Sequence, residues 1–303
     1  RTLREEYSFR EAIESPDVAA EITLQPWERY HPDGLVIFSD ILVALEPLGF
    51  DYHLESGVGP VIENPVEGPD DARRPRTGVR DELGFVGDLL RRLEDEVGDA
   101  VPLIGFAGGP FTLASYAIAG GSSKTHLPAR RFRAEHPDAF RELLESLADV
   151  IREHLQFQID AGADVVQLFD TYAGILTPED YREFLLPLHR EILADLSVPT
   201  ILFARNMGGS LGLLAGVGAD VVSLDWTVDM AAARAELGGH PVQGNLDPSH
   251  LFGDPSFVRE RTREIIEAAG TGGHILNLGH GVHKNTPVAS VEAFVETAKS
   301  IER

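Results

Sequence analysis

Cysteine is absent from the 303 residues of this chain. Without it the chain can form no disulfide, offers no thiolate nucleophile and cannot build a zinc site on sulfur ligands. This composition fits a cytoplasmic protein. No run of about 18 apolar residues occurs, so we predict no membrane-spanning helix, and no secretory or transit signal opens the sequence.

Lysine is nearly absent as well. Only Lys124, Lys284 and Lys299 occur among 26 basic residues, and 49 acidic residues bring the formal charge to −23. Such a charge repels nucleic acid and anionic membranes, so we expect neither as a partner. An acidic surface with little lysine indicates a protein from a high-salt cytoplasm, where dissolved ions screen its self-repulsion.

The common nucleotide-binding and catalytic motifs are missing too. The sequence contains no GxGxxG, no GxxxxGK and no HExxH. Three histidines, His274, His280 and His283, nevertheless lie within ten residues. Their pattern alone leaves three interpretations open: metal ligands, a catalytic histidine at the end of a strand, or turn residues. A catalytic zinc needs three protein ligands, and these residues have no HExxH or cysteine partner, so we expect no metal site.

Seven short apolar runs are the main feature that is present. They are rich in β-branched residues and do not alternate with polar ones, which is typical of strands covered on both faces. They lie at residues 34–40, 101–108, 164–170, 198–205, 220–226, 241–246 and 274–281.

Amphipathic segments separate these runs. Residues 138–162 place leucine, valine and isoleucine at spacings of three and four and close on Gly162. Residues 254–270 begin with Asp254 and Pro255, a helix cap and a first-turn proline, and end on Gly270.

Strand–helix alternation predicts the α/β class with a parallel sheet. We predict a single domain over residues 1–303, a (βα)₈ TIM barrel whose first strand is missing or precedes Arg1. An open doubly wound sheet is the alternative.

Polar residues follow most of the apolar runs. In a barrel the carboxyl ends of the strands meet at one face, where active sites lie. A single aspartate at such a position is often only a helix cap, but several converging groups indicate a site. These strand ends carry Ser39-Asp40, Gly108-Gly109, Asp170-Thr171-Tyr172, Arg205-Asn206, Asp225-Trp226, Asn245 and His280.

Several stretches together resemble the uroporphyrinogen decarboxylase family over essentially the whole chain. They are "PWERYHPDGLVIFSDIL", "GFAGGPFTLASY", "VQLFDTYAG", "VQGNLDP" and "LNLGHG". The resemblance implies a cofactor-free homodimer of (βα)₈ barrels in tetrapyrrole (haem) biosynthesis. Such an enzyme is a carboxy-lyase. It removes the carboxylates of the four acetate side chains of uroporphyrinogen III, which yields coproporphyrinogen III and four CO₂.

The same resemblance assigns site residues. Asp40 matches the family's cleft aspartate, which hydrogen-bonds the pyrrole N–H groups, and Tyr116 and His280 match its cleft tyrosine and histidine. Thr171 stands where many members have serine. The resemblance therefore implies catalytic roles for Asp40, Tyr116 and His280 and makes Thr171 a substrate-binding residue. His274 and His283 are then a strand-start and a loop residue.

The start of the chain matches only the end of a family segment, RQAGRYLPEYRxLR. Arg1 and Arg4 of "RTLR" fall in this end, which makes Arg4 a substrate-contacting arginine and Phe9 a wall of the cleft. The RQAGR part, with the first strand and further carboxylate-binding arginines, is not in the sequence. Either the sequence lacks an N-terminal stretch, or the chain is inactive as given. A second departure is "FARNMGG" at residues 203–209, where relatives often read FAKG.

The implied chemistry suits these residues. Protonation of a pyrrole carbon creates an electron sink, and the resulting cation needs a carboxylate near the ring N–H groups. Asp40 must then stay ionised, so we expect surrounding donors to hold its pKa low. Local arginines must reverse the field of an acidic protein around a polyanionic substrate.

Two other functions remain open. One is a catalytically silent tetrapyrrole-binding protein. The other is a zinc-dependent corrinoid methyltransferase of the same superfamily, whose zinc site needs a cysteine that this chain lacks.

Overall fold

The computed structural model describes residues 3–55 and 57–301, without the side chains of residues 4 and 5. The chain divides into two compact units, residues 1–200 and residues 201–303. The single domain predicted from the sequence is not tested by this division and stays a prediction. Within the described range, no helix combines the length and the apolar character needed to cross a membrane.

The first unit contains three parallel strands and one hairpin. The parallel strands are β1 (Leu35–Val36), β4 (Leu103–Gly108) and β5 (Val165–Phe169), in the order β1-β4-β5. Strands β2 (Tyr52–Glu55) and β3 (Gly59–Ile62) form a separate antiparallel pair. This hairpin could not be predicted from the sequence, because these residues lack the regular alternation that marks exposed strands.

The second unit carries the remaining strands, all parallel. Strand β6 (Thr200–Phe203) lies at the boundary and contributes its last three residues. It is followed in sheet order by β7 (Val221–Ser223), β8 (Val242–Leu246) and β9 (His274–Leu278). The seven parallel strands of the two units fall within the seven predicted apolar runs, which confirms the α/β class. The eighth strand stays a prediction.

Helices connect the strands in both units. The α-helices of the first unit are α1 (Leu3–Glu6), α2 (Phe9–Glu14), α3 (Pro16–Tyr30), α4 (Val79–Glu82), α5 (Gly84–Val97), α6 (Pro110–Ala119), α7 (Leu127–Glu135), α8 (Pro137–Asp160), α9 (Pro178–Asp180) and α10 (Leu186–Leu193). Those of the second unit are α11 (Leu211–Ala215), α12 (Met230–Glu236), α13 (Pro255–Ala269) and α14 (Val288–Ser300). Short 3₁₀ segments occupy Ile41–Leu48, Pro69–Asp71, Gly98–Ala100, Ala173–Ile175 and Pro248–Phe252, and a π-helical segment occupies Tyr181–Leu185.

Helices α8 and α13 show how the sequence determines its elements. The apolar residues of α8 that recur at spacings of three and four are all buried, which gives the helix one apolar face toward the core. Helix α13 begins at Pro255 and ends before Gly270, as predicted. Asp254 occupies its cap position, as predicted, although its side chain accepts no hydrogen bond from the first turn of the helix.

The outer strands of the two units depart from the predicted burial. Val36 of β1 and Ile275 of β9 are each 46% exposed. Among the described residues of their own units, β1 pairs only with β4 and β9 only with β8. An outer strand has a neighbour on one side only, so apolar composition alone does not predict full coverage.

Candidate active site

Asp40 lies at the start of a 3₁₀ segment, four residues after β1. Its Oδ1 accepts a hydrogen bond from the backbone N–H of Leu42 at 3.1 Å, so it acts as the cap of this segment. Burial raises the pKa of Asp40, and the Glu46 charge adds to this effect. The backbone N–H groups of Leu42 and Ile41 and the charge of Arg10 oppose the rise only in part.

The expectation that surrounding donors hold the pKa of Asp40 low is therefore wrong for the free chain. A buried carboxylate stays ionised easily only when enough donors replace the lost water. Nearby, the hydroxyl of Ser39 is buried without a hydrogen-bond partner among the described residues. Unsatisfied polar groups of this kind are uncommon in protein interiors and often mark places where a ligand binds.

An ion pair that no sequence motif indicates acts on Asp40. Arg10 of α2 donates two hydrogen bonds to Glu46, at 2.5 and 3.0 Å, and a third to Glu14. The guanidinium also lies 5.7 Å from the ring centroid of Tyr52. Burial raises the pKa of Tyr52, and the charges of Asp40 and Glu46 add to it, so this phenol stays protonated. Arg10 and Glu46 are 36 positions apart, and no motif links them.

Tyr116 lies on α6, with its hydroxyl 3.0 Å from that of Tyr172. Burial raises the pKa of Tyr116; the hydrogen bond with Tyr172 and the charge of Asp40 act in the same direction. The Tyr116 hydroxyl is thus protonated at neutral pH and can donate a hydrogen bond. The ring of Tyr172 in turn stacks on that of His126 with centroids 4.0 Å apart, and His126 Nδ1 lies 2.8 Å from the hydroxyl of Ser115.

Asp170, another strand-end aspartate, has a structural environment. It accepts hydrogen bonds from the backbone N–H and hydroxyl of Thr112, at 2.8 and 2.7 Å, and thereby caps α6 from outside that helix. Its other oxygen lies 2.8 Å from Nε2 of the fully buried His189. Gly109 is required beside it, because a Cβ there would lie 2.3 Å from the Cβ of Asp170.

The other predicted residues of the first unit have more open positions. Thr171 is half-buried in the turn after β5, and its hydroxyl makes no hydrogen bond within the described part of the chain. Phe9 is 38% exposed and contacts Phe38 edge-on, with ring centroids 5.6 Å apart. Arg1 and the side chain of Arg4 lie outside the described residues.

His280 belongs to the second unit, two residues after β9. Its ring contacts those of Phe203 and Trp226 edge-on, with centroids 6.0 Å apart in each case. Gly279 allows this approach, because a Cβ there would lie 2.3 Å from the backbone nitrogen of Trp226.

His280 is exposed, but the two aromatic neighbours cover part of its ring. This burial lowers the pKa of His280; the charge of Arg205 lowers it further, while Asp225 opposes the shift. His280 is therefore mainly neutral near pH 7. His274 opens β9 and His283 lies in the following loop, as predicted, and His283 accepts a hydrogen bond from the backbone N–H of Asn285.

The first unit thus brings Asp40 and Tyr116 into one electrostatic neighbourhood, while His280 has its own aromatic surroundings in the second unit. Among the residues that the structure describes, no group of three histidine, aspartate or glutamate side chains is arranged to hold a metal ion. The described residues thus offer a hydrogen-bond donor in the Tyr116 hydroxyl, an ionisable carboxylate in Asp40 and aromatic rings around His280.

Comparison with known proteins gives a consistent result. The family model described as uroporphyrinogen decarboxylase matches residues 1–301. A uroporphyrinogen decarboxylase of Gloeobacter violaceus is 44% identical over 308 residues, which cover 99% of this chain and 89% of that protein. One of Chloroflexus aurantiacus is 44% identical over 310 residues, which cover 99% of this chain and 87% of that protein.

Solved structures show the same fold at low identity. A methyltransferase from Methanosarcina mazei superposes with a TM-score of 0.81 at 19% identity, covering 95% of this chain and 86% of that one. A B12-independent methionine synthase from Shewanella gives a TM-score of 0.66 at 13% identity, with 94% and 87% covered. At such identities the likeness establishes the fold alone, and it agrees with the predicted α/β barrel class. The family match and the curated relatives show that this chain belongs to the uroporphyrinogen decarboxylase family.

Proposed function

We propose that this chain is a uroporphyrinogen decarboxylase, a carboxy-lyase that converts the four acetate side chains of uroporphyrinogen III to methyl groups. The observation that carries the proposal is Asp40, a half-buried carboxylate whose loss of water outweighs its hydrogen-bond donors and whose charge acts on a protonated tyrosine. Family membership and 44% identity to decarboxylases over 99% of the chain support it.

Each step replaces CO₂ by a proton. A proton adds to a pyrrole carbon, and the positive charge spreads to the ring nitrogen. The bond to the acetate carboxylate then breaks, and its electron pair moves into the ring. A second proton adds to the exocyclic carbon, and the ring carbon loses the first. The net reaction is R–CH₂–COO⁻ + H⁺ → R–CH₃ + CO₂, and coproporphyrinogen III results after four such steps.

Asp40 would stabilise the cation formed in each step. The pyrrole N–H groups of the substrate would supply the donors that the free chain lacks, which lowers the pKa of Asp40 when substrate binds. An ionised Asp40 then faces the developing positive charge in a site with little water, where electrostatic stabilisation is strong. One carboxylate that accepts from several pyrroles can serve four similar steps.

The other site residues would hold the substrate and manage protons. Tyr116 is a donor at neutral pH, and the neutral His280 can orient a carboxylate or relay a proton. The Thr171 hydroxyl is free to bind substrate, Phe9 would form a wall, and Arg4 would bind a substrate carboxylate.

The working state follows from the resemblance and the composition. We propose a cytoplasmic homodimer that needs no cofactor, in a salt-adapted organism. The charge of −23 and the three lysines support the last point. The same charge argues against nucleic acid or membrane partners.

The test is anaerobic incubation of full-length protein with uroporphyrinogen III in molar KCl, followed by oxidation and separation of the porphyrins. We expect coproporphyrin and released CO₂. A protein that binds the substrate but releases no CO₂ would instead be the silent binding protein. Stoichiometric zinc in the purified protein would favour the methyltransferase, although the chain has no cysteine for its metal.

A further inference from the structure

We infer that Arg205 is a carboxylate-binding residue for the substrate, held in position by the indole ring of Trp226. The inference rests on the proposed function, because uroporphyrinogen III carries eight carboxylates that an enzyme of charge −23 must attract locally. It assigns a role to the "FARNMGG" segment, which the resemblance to relatives leaves without one.

The position of Arg205 suits this role. It lies two residues after β6, at the carboxyl end of a parallel strand, where α/β folds place their sites. Its guanidinium carbon lies 5.5 Å from the ring centroid of Trp226, which follows the next strand. A cation–π contact of this kind fixes the plane of the guanidinium, so that its parallel N–H groups can bind both oxygens of a carboxylate.

The charge of Arg205 has no anionic partner within the described part of the chain. Other arginines of the same unit do form ion pairs: Arg259 with Glu296 and Arg261 with Glu264. In a chain with 49 acidic and 26 basic residues, a half-buried arginine without such a pair is unexpected.

The acidic group in this part of the unit, Asp225, is already engaged. It accepts hydrogen bonds from the backbone N–H groups of Asn206, at 2.6 Å, and Thr227, at 2.7 Å, and from the Thr227 hydroxyl at 2.5 Å. These donors occupy both carboxylate oxygens of Asp225 within the loops after β6 and β7. The charge of Arg205 therefore stays available for an external anion.

His280 completes the arrangement. Its ring contacts those of Phe203 and Trp226 edge-on, and it interacts electrostatically with Arg205. A carboxylate bound by the guanidinium can thus also accept a hydrogen bond from the neutral imidazole. The two residues form a small anion-binding surface on an aromatic base.

Porphyrin binding tests the inference, with Trp226 as the reporter. The chain has two tryptophans, so a Trp27→Phe background leaves Trp226 as the single tryptophan, which can be excited selectively over tyrosine. In this full-length background we would titrate uroporphyrin III and coproporphyrin III against Arg205→Gln, Arg205→Lys and Arg263→Gln. Arg263→Gln is the matched control, because Arg263 is an exposed residue of α13 in the same unit. The substitution removes one positive charge, as Arg205→Gln does.

Arg205→Gln should weaken uroporphyrin binding by about tenfold or more, as expected for loss of one charge-assisted contact. Arg205→Lys should retain part of the affinity, because lysine keeps the positive charge but lacks the parallel N–H groups that bind both carboxylate oxygens. Arg263→Gln should bind like the parent. A loss shared with coproporphyrin III assigns the contact to a propionate, whereas a loss confined to uroporphyrin III assigns it to an acetate.

Unchanged affinity in Arg205→Gln would overturn the inference and leave Arg205 as a packing residue on Trp226. Turnover separates this result from the proposed function. If the parent decarboxylates uroporphyrinogen III and Arg205→Gln matches it in both KM and affinity, only the inference fails. If Arg205→Gln loses affinity but the parent releases no CO₂, only the decarboxylase proposal fails. A parent protein that binds no uroporphyrin contradicts both.

Discussion

Ionised Asp40 lowers the stability of the ligand-free protein, and its proposed function explains why the residue is there. Because burial raises the pKa of Asp40, the folded chain holds this proton up to a higher pH than the unfolded chain does. The protonated carboxyl therefore favours the folded state, and this stabilisation is fully present below the unfolded pKa of about 3.9. That stabilisation is lost as the pH rises through the folded value. An ionised Asp40 therefore destabilises the ligand-free protein at neutral pH, as strained or mismatched groups at functional sites often do.

Asp40→Asn should consequently stabilise the ligand-free protein at neutral pH. Asparagine keeps an oxygen for the N–H of Leu42 and removes the buried charge. Urea unfolding at about pH 5 and about pH 8 measures the effect, and the advantage of the variant should be larger at the higher pH. A variant no more stable than the parent at about pH 8 would show that Asp40 is not penalised by burial.

For individual residues, the sequence predicts their positions better than their environments. The polar residues that follow apolar runs could be predicted, because strand ends are local features of the chain. The environment of Asp40 could not, because Arg10, Glu46 and Tyr52 reach it from distant elements. Whether burial or donors determine the pKa of a carboxylate is a three-dimensional balance that no motif records.

Among the elements, helix α6 depends on a cap supplied from β5. Asp170→Ala would leave the N–H groups of Phe111 and Thr112 and the ring of His189 without their buried acceptor. We expect a loss of at least about 3 kcal/mol in the free energy of unfolding, measured with urea.

Asp229→Ala is the matched control for this loss. Asp229 also caps a helix, α12, through the N–H of Ala232, but it is exposed to solvent. Its removal should cost about 1 kcal/mol. Equal losses in the two variants would contradict a structural role for the buried network around Asp170.

Helix α8 contains a histidine that should make the protein sensitive to acid. His154 is fully buried, its Nδ1 has no hydrogen-bond partner among the described residues, and burial lowers its pKa to about 4. Because the unfolded chain binds the proton near pH 6.5, stability is lost as the pH falls from about 6.5 to about 4. The shift corresponds to a loss on the order of 3 kcal/mol over that range.

His154→Leu should remove most of this loss, whereas His283→Leu, in an exposed loop, should keep it. Chemical unfolding across that pH range gives the comparison. If the pH dependence of His154→Leu matched that of the parent, protonation of this side chain would not be the cause.

Element prediction succeeded where the pattern is local. The seven parallel strands and helices α8 and α13 follow from apolar spacing and from glycine and proline at their ends. The β2–β3 hairpin was missed, and β9 is more exposed than its composition indicates. Both depend on which neighbours a segment has, and its own sequence does not encode that.

For the whole molecule, the charge of −23 predicts stability that increases with salt. The screening length falls from about 10 Å at 0.1 M to about 3 Å at 1 M, so repulsion between acidic residues weakens over this range. We expect the Tm to rise with KCl up to about 1 M. A Tm that stays constant or falls would contradict adaptation to a salt-rich cytoplasm.

The composition excludes classes of function more readily than it identifies one. The absent cysteines argue against a thiolate nucleophile and a sulfur-ligated zinc, and the charge argues against nucleic acid. Membership of the family was indicated by several motifs that occur in the right order over the whole chain. The pairing of Arg205 with Trp226 and of Tyr116 with Tyr172 became apparent only in three dimensions.

The most direct test of the account is anaerobic turnover of uroporphyrinogen III by full-length protein, Asp40→Asn and Asp247→Asn. Asp247 is a matched control, because it also follows a strand and caps a 3₁₀ segment, through the N–H of Ser249 at 2.8 Å. We predict that Asp40→Asn lowers kcat by about 10²–10³-fold, since the cation loses its carboxylate, while Asp247→Asn stays near the parent. Coproporphyrinogen formed by Asp40→Asn at the parental rate would contradict the central role of Asp40.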